Sequence, residues 1–207
     1  MIWDIVFIIS SFLIGSIPFG KIVASLKGVD ITKEGSGNIG ATNVFRVVGK
    51  GWGILVLVLD ALKGAIPTLA SSYIYHSKLL NFFLPEAYVF IGIASILGHI
   101  FSPFVGFKGG KGVATSLGVF AVLTPVGVLI GAVVFGIFIA IFRIVSISSI
   151  ASTIAVFSFL LVYHILNNSI ANNYVLIASA FVVMVFIIIK HSSNIKRLLK
   201  GEEKKII

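Results

Sequence analysis

The sequence predicts an all-α polytopic membrane protein with about seven transmembrane helices, some of them short. Three observations carry that prediction. Only 11% of the 207 residues are charged while 58% are hydrophobic, which leaves too little polar surface to clothe a water-soluble fold. The mean hydropathy is +1.13. The apolar residues also gather in runs close to the ~18–20 that a helix needs to cross a bilayer. No sizeable soluble domain fits in the remainder, so residues 1–207 read as a single integral membrane domain.

The elements follow in order. The first apolar run has no basic leader and no small-residue cleavage site, and it carries Asp4, so it reads as a retained first span over about residues 5–24. A polar, Gly-rich stretch occupies 27–50, and a second span covers 51–75. A third span, 87–100, leads into a second Gly/Lys-rich stretch, 101–112. Residues 113–142 would make a helix of about 45 Å, too long for a ~30 Å hydrocarbon core, and Pro125 offers a turn into a helical hairpin. Spans over 147–166 and 174–190 complete the count. Span three and both halves of the hairpin are shorter than a full crossing, so the polar stretches beside them are expected to dip into the membrane interface.

Charge parity fixes the seven. Of the 16 Lys and Arg residues, only Lys63 and Lys78 then fall away from one face, which is taken as cytoplasmic. The amino terminus is accordingly expected outside, with the carboxyl terminus and the site inside. In a soluble chain a net charge of +9 would suggest nucleic acid. In a membrane chain it reflects the cytoplasmic bias of Lys and Arg and attraction to anionic lipid heads, so membrane lipid is an expected partner and nucleic acid is not.

Two polar stretches can carry chemistry. In the first, Gly35, Gly37 and Gly40 permit turns that aim successive amides at one anion, while Ser36, Asn38, Thr42 and Asn43 add neutral donors. If Ala41 opens a short helix, Thr42 and Asn43 share a face with Arg46, a layout suited to oxyanions. The plainer alternative is a flexible polar linker. In the second stretch, which also holds His99, the run Lys108-Gly109-Gly110-Lys111-Gly112 at a helix start places two cations beside exposed amides, a phosphate cradle. It does not fit the P-loop pattern, which argues against nucleotide hydrolysis.

Two smaller clusters lie on the same side. Arg143, Ser146, Ser148 and Ser149 open the sixth span; His191, Asn194 and Arg197 follow the seventh. Helix capping and a basic tail on lipid heads are the plainer readings of these two. Asp60 and Lys63 look like an intramembrane ion pair in mutual neutralisation. The seven acids are too scattered to cluster around a divalent cation, and with no Cys and no compact His/acid pair neither a metal site nor a ready catalytic triad is expected.

The strings SGNIGATN (36–43) and GHIFSPFVGFKGGKGVAT (98–115), followed by the segment from His191 to Arg197, resemble in order and spacing the three motifs of the PlsY-type acyl-phosphate:glycerol-3-phosphate acyltransferases. The resemblance spans the chain. It implies a seven-helix bacterial inner-membrane enzyme, without cofactor, that moves a fatty acyl group from acyl phosphate to glycerol 3-phosphate and releases lysophosphatidate and phosphate. Carried over by position, Ser36 and Arg46 would be the essential polar pair of the first motif, with Gly37, Asn38, Thr42 and Asn43 around the substrate. Lys108, Gly109, Gly110 and Lys111, with His99 before them, would form the glycerol 3-phosphate loop. His191 and Asn194 would be the functional pair of the third motif. The family usually carries Glu immediately before that Asn, where this chain has Ser193. Ser102-Pro103 moves the second motif's Pro by one place.

Acyl phosphate is already an activated mixed anhydride, so placement and charge neutralisation matter more than a strong nucleophile. A direct transfer is therefore expected: Arg46, Arg143, Ser36 and the serines Ser146 and Ser148 hold one phosphate, while Lys108 and Lys111 hold the other. His191 is the ordinary general-base candidate, and a substrate phosphate is the alternative proton acceptor. A transporter of phosphorylated metabolites is the rival from another class. A structural partner of a lipid-synthesis complex is a third reading, and it leaves both phosphate stretches unexplained. A soluble acyl-phosphate-forming enzyme is a candidate docking partner.

Overall fold

The structure, a computed structural model, describes residues 2–206. The described residues are helical with no strand, and they divide into two compact units, 2–122 and 123–206.

The first unit begins with α1 (Ile2–Ser16) and α2 (Phe19–Leu26), separated at Ile17-Pro18. The span expected over residues 5–24 is present, with a break in its helix at Ile17-Pro18. Pro18 has no amide hydrogen and disfavours helical backbone at Ile17, so the ladder stops and leaves carbonyls unpaired. At membrane depth those carbonyls need partners. Lys63 Nζ donates to the Ile17 carbonyl at 2.7 Å, and the Ser102 hydroxyl donates to that of Ser16 at 2.6 Å. The break is thus a built junction between distant parts of the chain.

The unit continues with α3 (Ala41–Val47), α4 (Lys50–His76), α5 (Ala87–Ile100), a 3₁₀ turn at Pro103–Val105 and α6 (Val113–Leu123). Glycines let these helices touch backbone to backbone, the usual solution where lipid removes the hydrophobic incentive to associate. A β-carbon on Gly98 of α5 would stand 2.1 Å from the Phe12 carbonyl oxygen of α1, and one on Gly118 of α6 would stand 1.9 Å from that of Ala61 in α4. At the opposite end of α1, the Asp4 carboxylate accepts the amides of Phe83 and Leu84 at 2.9–3.1 Å, pinning the connection that precedes α5.

The second unit holds α7 (Pro125–Phe142), α8 (Val145–Leu166), α9 (Tyr174–Lys190) and α10 (Ser192–Leu199), with a 3₁₀ turn at Ile170–Asn172. Pro125 takes the first position of α7, where its missing amide costs nothing, so the helix is interrupted at Thr124-Pro125, where the sequence placed a break. Gly131 of α7 lies against Val156 and Ser152 of α8. After Lys190 the chain bends by 54° into α10, an amphipathic helix that carries the segment whose plainer sequence reading was a basic tail.

Among the described residues, five spans are long and apolar enough to cross a membrane: α1 with α2 (25 residues), α4 (27), α5 with its 3₁₀ turn (19), α7 (18) and α8 (22). The bent α9–α10 pair makes a sixth, and α6, with 11 residues, is a shorter apolar helix. The protein is therefore an all-α polytopic membrane protein with five or six candidate spans and one shorter apolar helix among the described residues.

Candidate active site

The first polar stretch is folded, and the linker alternative does not hold. Ile31 and Ile39, which punctuate it, are buried with Val23, Ala24, Val44 and Val56 in a small core. Asn43 closes the loop over that core. Its Oδ1 accepts the Ser36 amide at 2.9 Å, and its Nδ2 donates to the carbonyls of Glu34 (3.0 Å) and Ile31 (3.3 Å). Gly35 has φ +64°, and a β-carbon there would stand 2.2 Å from Asn43 Oδ1, so only glycine permits this closure.

The expected amide nest is not formed at these positions. The amide of Gly37 is held by the Glu34 carbonyl (2.9 Å) and that of Gly40 by Asn38 Oδ1 (2.8 Å), while Ser36 gives its amide to Asn43. The loop spends these donors on its own shape, and what it offers outward are side chains. Ser36 and Arg46 are exposed. Helix α3 starts at Ala41 as expected, but Asn43 turns inward while Arg46 turns outward, so of the two expected companions only Thr42, four residues before Arg46, stays off the buried side. Asp30, at the loop's start, bonds the Thr32 hydroxyl at 2.6 Å and pairs with Lys33 at 3.4 Å. Those contacts, the hydroxyl first, hold its carboxyl below the usual range.

The second stretch packs on the same core through Val105. Its glycines fold back onto the end of α5: the Gly109 amide donates to the Ile100 carbonyl (3.2 Å) and the Gly110 amide to that of His99 (3.1 Å). A β-carbon on Gly110 would lie 2.1 Å from His99 Nε2, so the imidazole ring rests against the loop. Lys108 is exposed, Lys111 is half-buried, and α6 begins two residues beyond Lys111. Both stretches, and hence Ser36, Arg46, His99, Lys108 and Lys111, therefore belong to one unit.

The second unit builds a cluster of its own. His191, 3% exposed, sits at the bend between α9 and α10, and its Nδ1 lies 2.8 Å from the Ile187 carbonyl. A carbonyl only accepts, so Nδ1 carries a hydrogen in this contact. Asn194, one turn on, donates to Glu203 Oε1 at 2.5 Å, the Ser146 hydroxyl donates to the same oxygen at 2.9 Å, and Arg197 Nε meets Oε2 at 2.7 Å. The Ser148 hydroxyl instead bonds the Ile144 carbonyl at 2.9 Å. The tail ends by giving the Ile206 amide to the Arg143 carbonyl (2.8 Å), which braces Arg143 in the left-handed region at φ +57° with its side chain exposed.

Glu203 is the residue that sequence reasoning missed. Burial raises the cost of its charge, yet the bonds from Asn194, Arg197 and Ser146 outweigh it and hold the carboxyl below its usual value. Ser193, where the family's usual Glu is absent, is exposed, and the carboxylate that meets Asn194 comes from the tail. The signal available was Gly201 followed by two acids in an otherwise basic segment; Gly201 takes φ +70° and turns the tail back.

A family model described as glycerol-3-phosphate acyltransferase matches residues 5–201. The chain is 46% identical over 199 residues to the glycerol-3-phosphate acyltransferase of Aquifex aeolicus (strain VF5), covering 95% of each. To that of Trichlorobacter lovleyi it is 41% identical over 198 residues, covering 96% of this chain and 95% of the relative. It also superposes on crystal structures of PlsY (YgiH), described as an integral membrane glycerol 3-phosphate acyltransferase. The glycerol 3-phosphate form gives a TM-score of 0.86 at 41% identity and the lysophosphatidic acid form 0.83 at 42%, each covering 98% of this chain and 94% of the other. The resemblance read from the three motifs thus extends along the whole chain and through its fold, and the chain belongs to the PlsY-type glycerol-3-phosphate acyltransferase family, which makes it an acyltransferase.

Proposed function

We propose that the chain transfers a fatty acyl group from acyl phosphate to glycerol 3-phosphate, giving lysophosphatidate (1-acylglycerol 3-phosphate) and phosphate, the first acylation of phospholipid biosynthesis. The observation that carries this reading is the second loop, where Lys108 and Lys111 flank Gly109-Gly110 at the start of α6 and the glycines lie flat on His99. Two cations beside first-turn amides suit a phosphate monoester. The relatives' names and the glycerol 3-phosphate and lysophosphatidic acid forms of PlsY point the same way.

The step is a direct transfer. The C1 hydroxyl oxygen of glycerol 3-phosphate attacks the acyl carbonyl, the bond from that carbon to the phosphate oxygen breaks, and phosphate leaves with the electron pair. The hydroxyl proton passes to His191 or to a substrate phosphate. In the first unit, Lys108 and Lys111 bind glycerol 3-phosphate, with Gly109, Gly110 and His99 shaping their loop. Ser36, Arg46 and Thr42 bind the acyl-phosphate group, and Gly37, Asn38 and Asn43 hold that loop in shape. Among the second unit's residues, His191 and Asn194 are assigned as the functional pair of the third motif and Arg143 as a phosphate ligand, while Ser146 and Ser148 would have to exchange their bonds to Glu203 and the Ile144 carbonyl to serve as ligands. The work is placement and neutralisation of charge that grows on the leaving phosphate.

The protein works in the cell (inner) membrane as one integral domain, with its amino terminus outside and its carboxyl terminus and site in the cytoplasm, a placement supported by the Lys and Arg bias. A soluble acyl-phosphate-forming enzyme is its natural supplier. The transporter alternative has no support from a family of acyltransferases. The test is product formation by purified protein in detergent with acyl phosphate and glycerol 3-phosphate, with acyl-CoA as the control donor. Lysophosphatidate from acyl phosphate is the expected result, and no product from either donor would overturn the reading.

A further inference from the structure

The ion pair inside α4 has a third member. Lys63 Nζ lies 2.7 Å from Asp60 Oδ1, and their side chains are 3% and 2% exposed. His99 Nδ1, from α5, stands 3.7 Å from the same carboxylate oxygen, and Lys63 also donates to the Ile17 carbonyl at the α1–α2 break. A pair of this kind is expensive to bury, and apolar residues of similar shape often stabilise a fold as well or better. Mutual neutralisation therefore explains why the two charges tolerate each other but not why the carboxylate faces an imidazole. On its other side His99 supports the loop: its backbone carbonyl receives the Gly110 amide, and its Nε2 lies where a Gly110 side chain would be.

The geometry points to Asp60 and Lys63 as positioning residues for the phosphate loop, acting through His99. Lys63 anchors the carboxylate to the α1–α2 junction, and Asp60 fixes the rotation of the His99 ring. The ring and its carbonyl then set where Gly109-Gly110 lies and how Lys108 and Lys111 are spaced. Binding of a small dianion by two lysines depends steeply on that spacing, because each cation must reach phosphate oxygens at contact distance. The consequence is selective: the pair governs affinity for glycerol 3-phosphate and leaves affinity for the acyl donor alone. This inference rests on the reading of 108–111 as the glycerol 3-phosphate loop.

The experiment compares four forms of the full chain in detergent: wild type, the paired variant Asp60→Asn/Lys63→Met, His99→Gln, and the three substitutions together. The paired variant removes both charges at once, so no lone charge is left buried. Its glycerol 3-phosphate KM is expected to rise about tenfold, with kcat and the acyl phosphate KM within about twofold of wild type. The triple variant is expected to match His99→Gln, because residues acting in series are not additive. Unchanged KM values, a parallel rise in both KM values, or effects that multiply in the triple variant would each overturn the proposal. If the paired variant does not fold, Asp60→Glu decides, since it keeps the pair charged while displacing the carboxylate; the same selective KM rise is required of it. Lys108→Gln separates the two readings: if it leaves the glycerol 3-phosphate KM unchanged, the loop assignment fails, and if it raises that KM while the paired variant does not, only the role of Asp60 and Lys63 fails.

Discussion

The amide of Ser36 is held by the side-chain oxygen of Asn43 at 2.9 Å, so a helix residue closes the loop that carries the first site residue. Asn43→Ala removes this acceptor and both donors to Ile31 and Glu34. The expected loss is about 1–3 kcal/mol of stability, the cost of leaving buried backbone groups unpaired, together with a larger fall in activity than Thr42→Val produces. Thermal unfolding in detergent and an acyltransfer assay on the same preparations check both.

Helix contacts through glycine give a paired prediction. Gly98→Ala forces a β-carbon to 2.1 Å from the Phe12 carbonyl oxygen, whereas nothing lies within 4 Å of one on Gly136 in α7. Gly98→Ala should destabilise by about 1–3 kcal/mol through overpacking. Gly136→Ala should be neutral or stabilise by up to about 1 kcal/mol through helix propensity. Unfolding midpoints of the two variants decide.

Glu203 makes stability depend on pH with a definite sign. Its folded value lies below the usual 4.5, so the unfolded chain takes up the proton first on acidification. The stabilisation from its bonds to Ser146, Asn194 and Arg197 is complete above that usual value and is lost as pH falls through the lower, folded one. Glu203→Gln should therefore lower the unfolding temperature at neutral pH, and the gap to wild type should narrow below pH 4.5. A gap that stays constant down to acid denaturation would contradict this assignment.

Arg46 is exposed and is assigned to a phosphate. Arg46→Lys keeps the charge but loses the planar fork that meets two oxygens at once, so kcat/KM should fall by about tenfold or more, with little change in the unfolding temperature. Steady-state kinetics with acyl phosphate varied provide the check.

Much of this fold is legible in the sequence because polar residues bound the apolar runs. The third span ends at Ile100 and the last at Lys190 in both readings, and a new helix starts at Pro125, where the length argument requires a break. The break at Ile17-Pro18 was hidden because apolar residues continue across it, and its compensation comes from Lys63 and Ser102, far along the chain. At the site, residue types gave the expectation of phosphate binding for both stretches. They could not tell which donors the loop consumes internally, since that depends on Asn43 turning inward and on Ile31 and Ile39 being buried. Glu203 escaped for the same reason: its partners lie 57, 9 and 6 residues away, brought together only when the tail folds back at Gly201.

The central mechanistic claim is that the enzyme places two phosphates and needs no acyl-enzyme. The direct measurement is exchange of labelled inorganic phosphate into acyl phosphate by the purified protein, with glycerol 3-phosphate absent. Direct transfer predicts no exchange above the enzyme-free rate while glycerol 3-phosphate is absent, and accumulation of lysophosphatidate once it is supplied. Exchange without the acceptor, abolished by Ser36→Ala, would establish a covalent intermediate and contradict the mechanism.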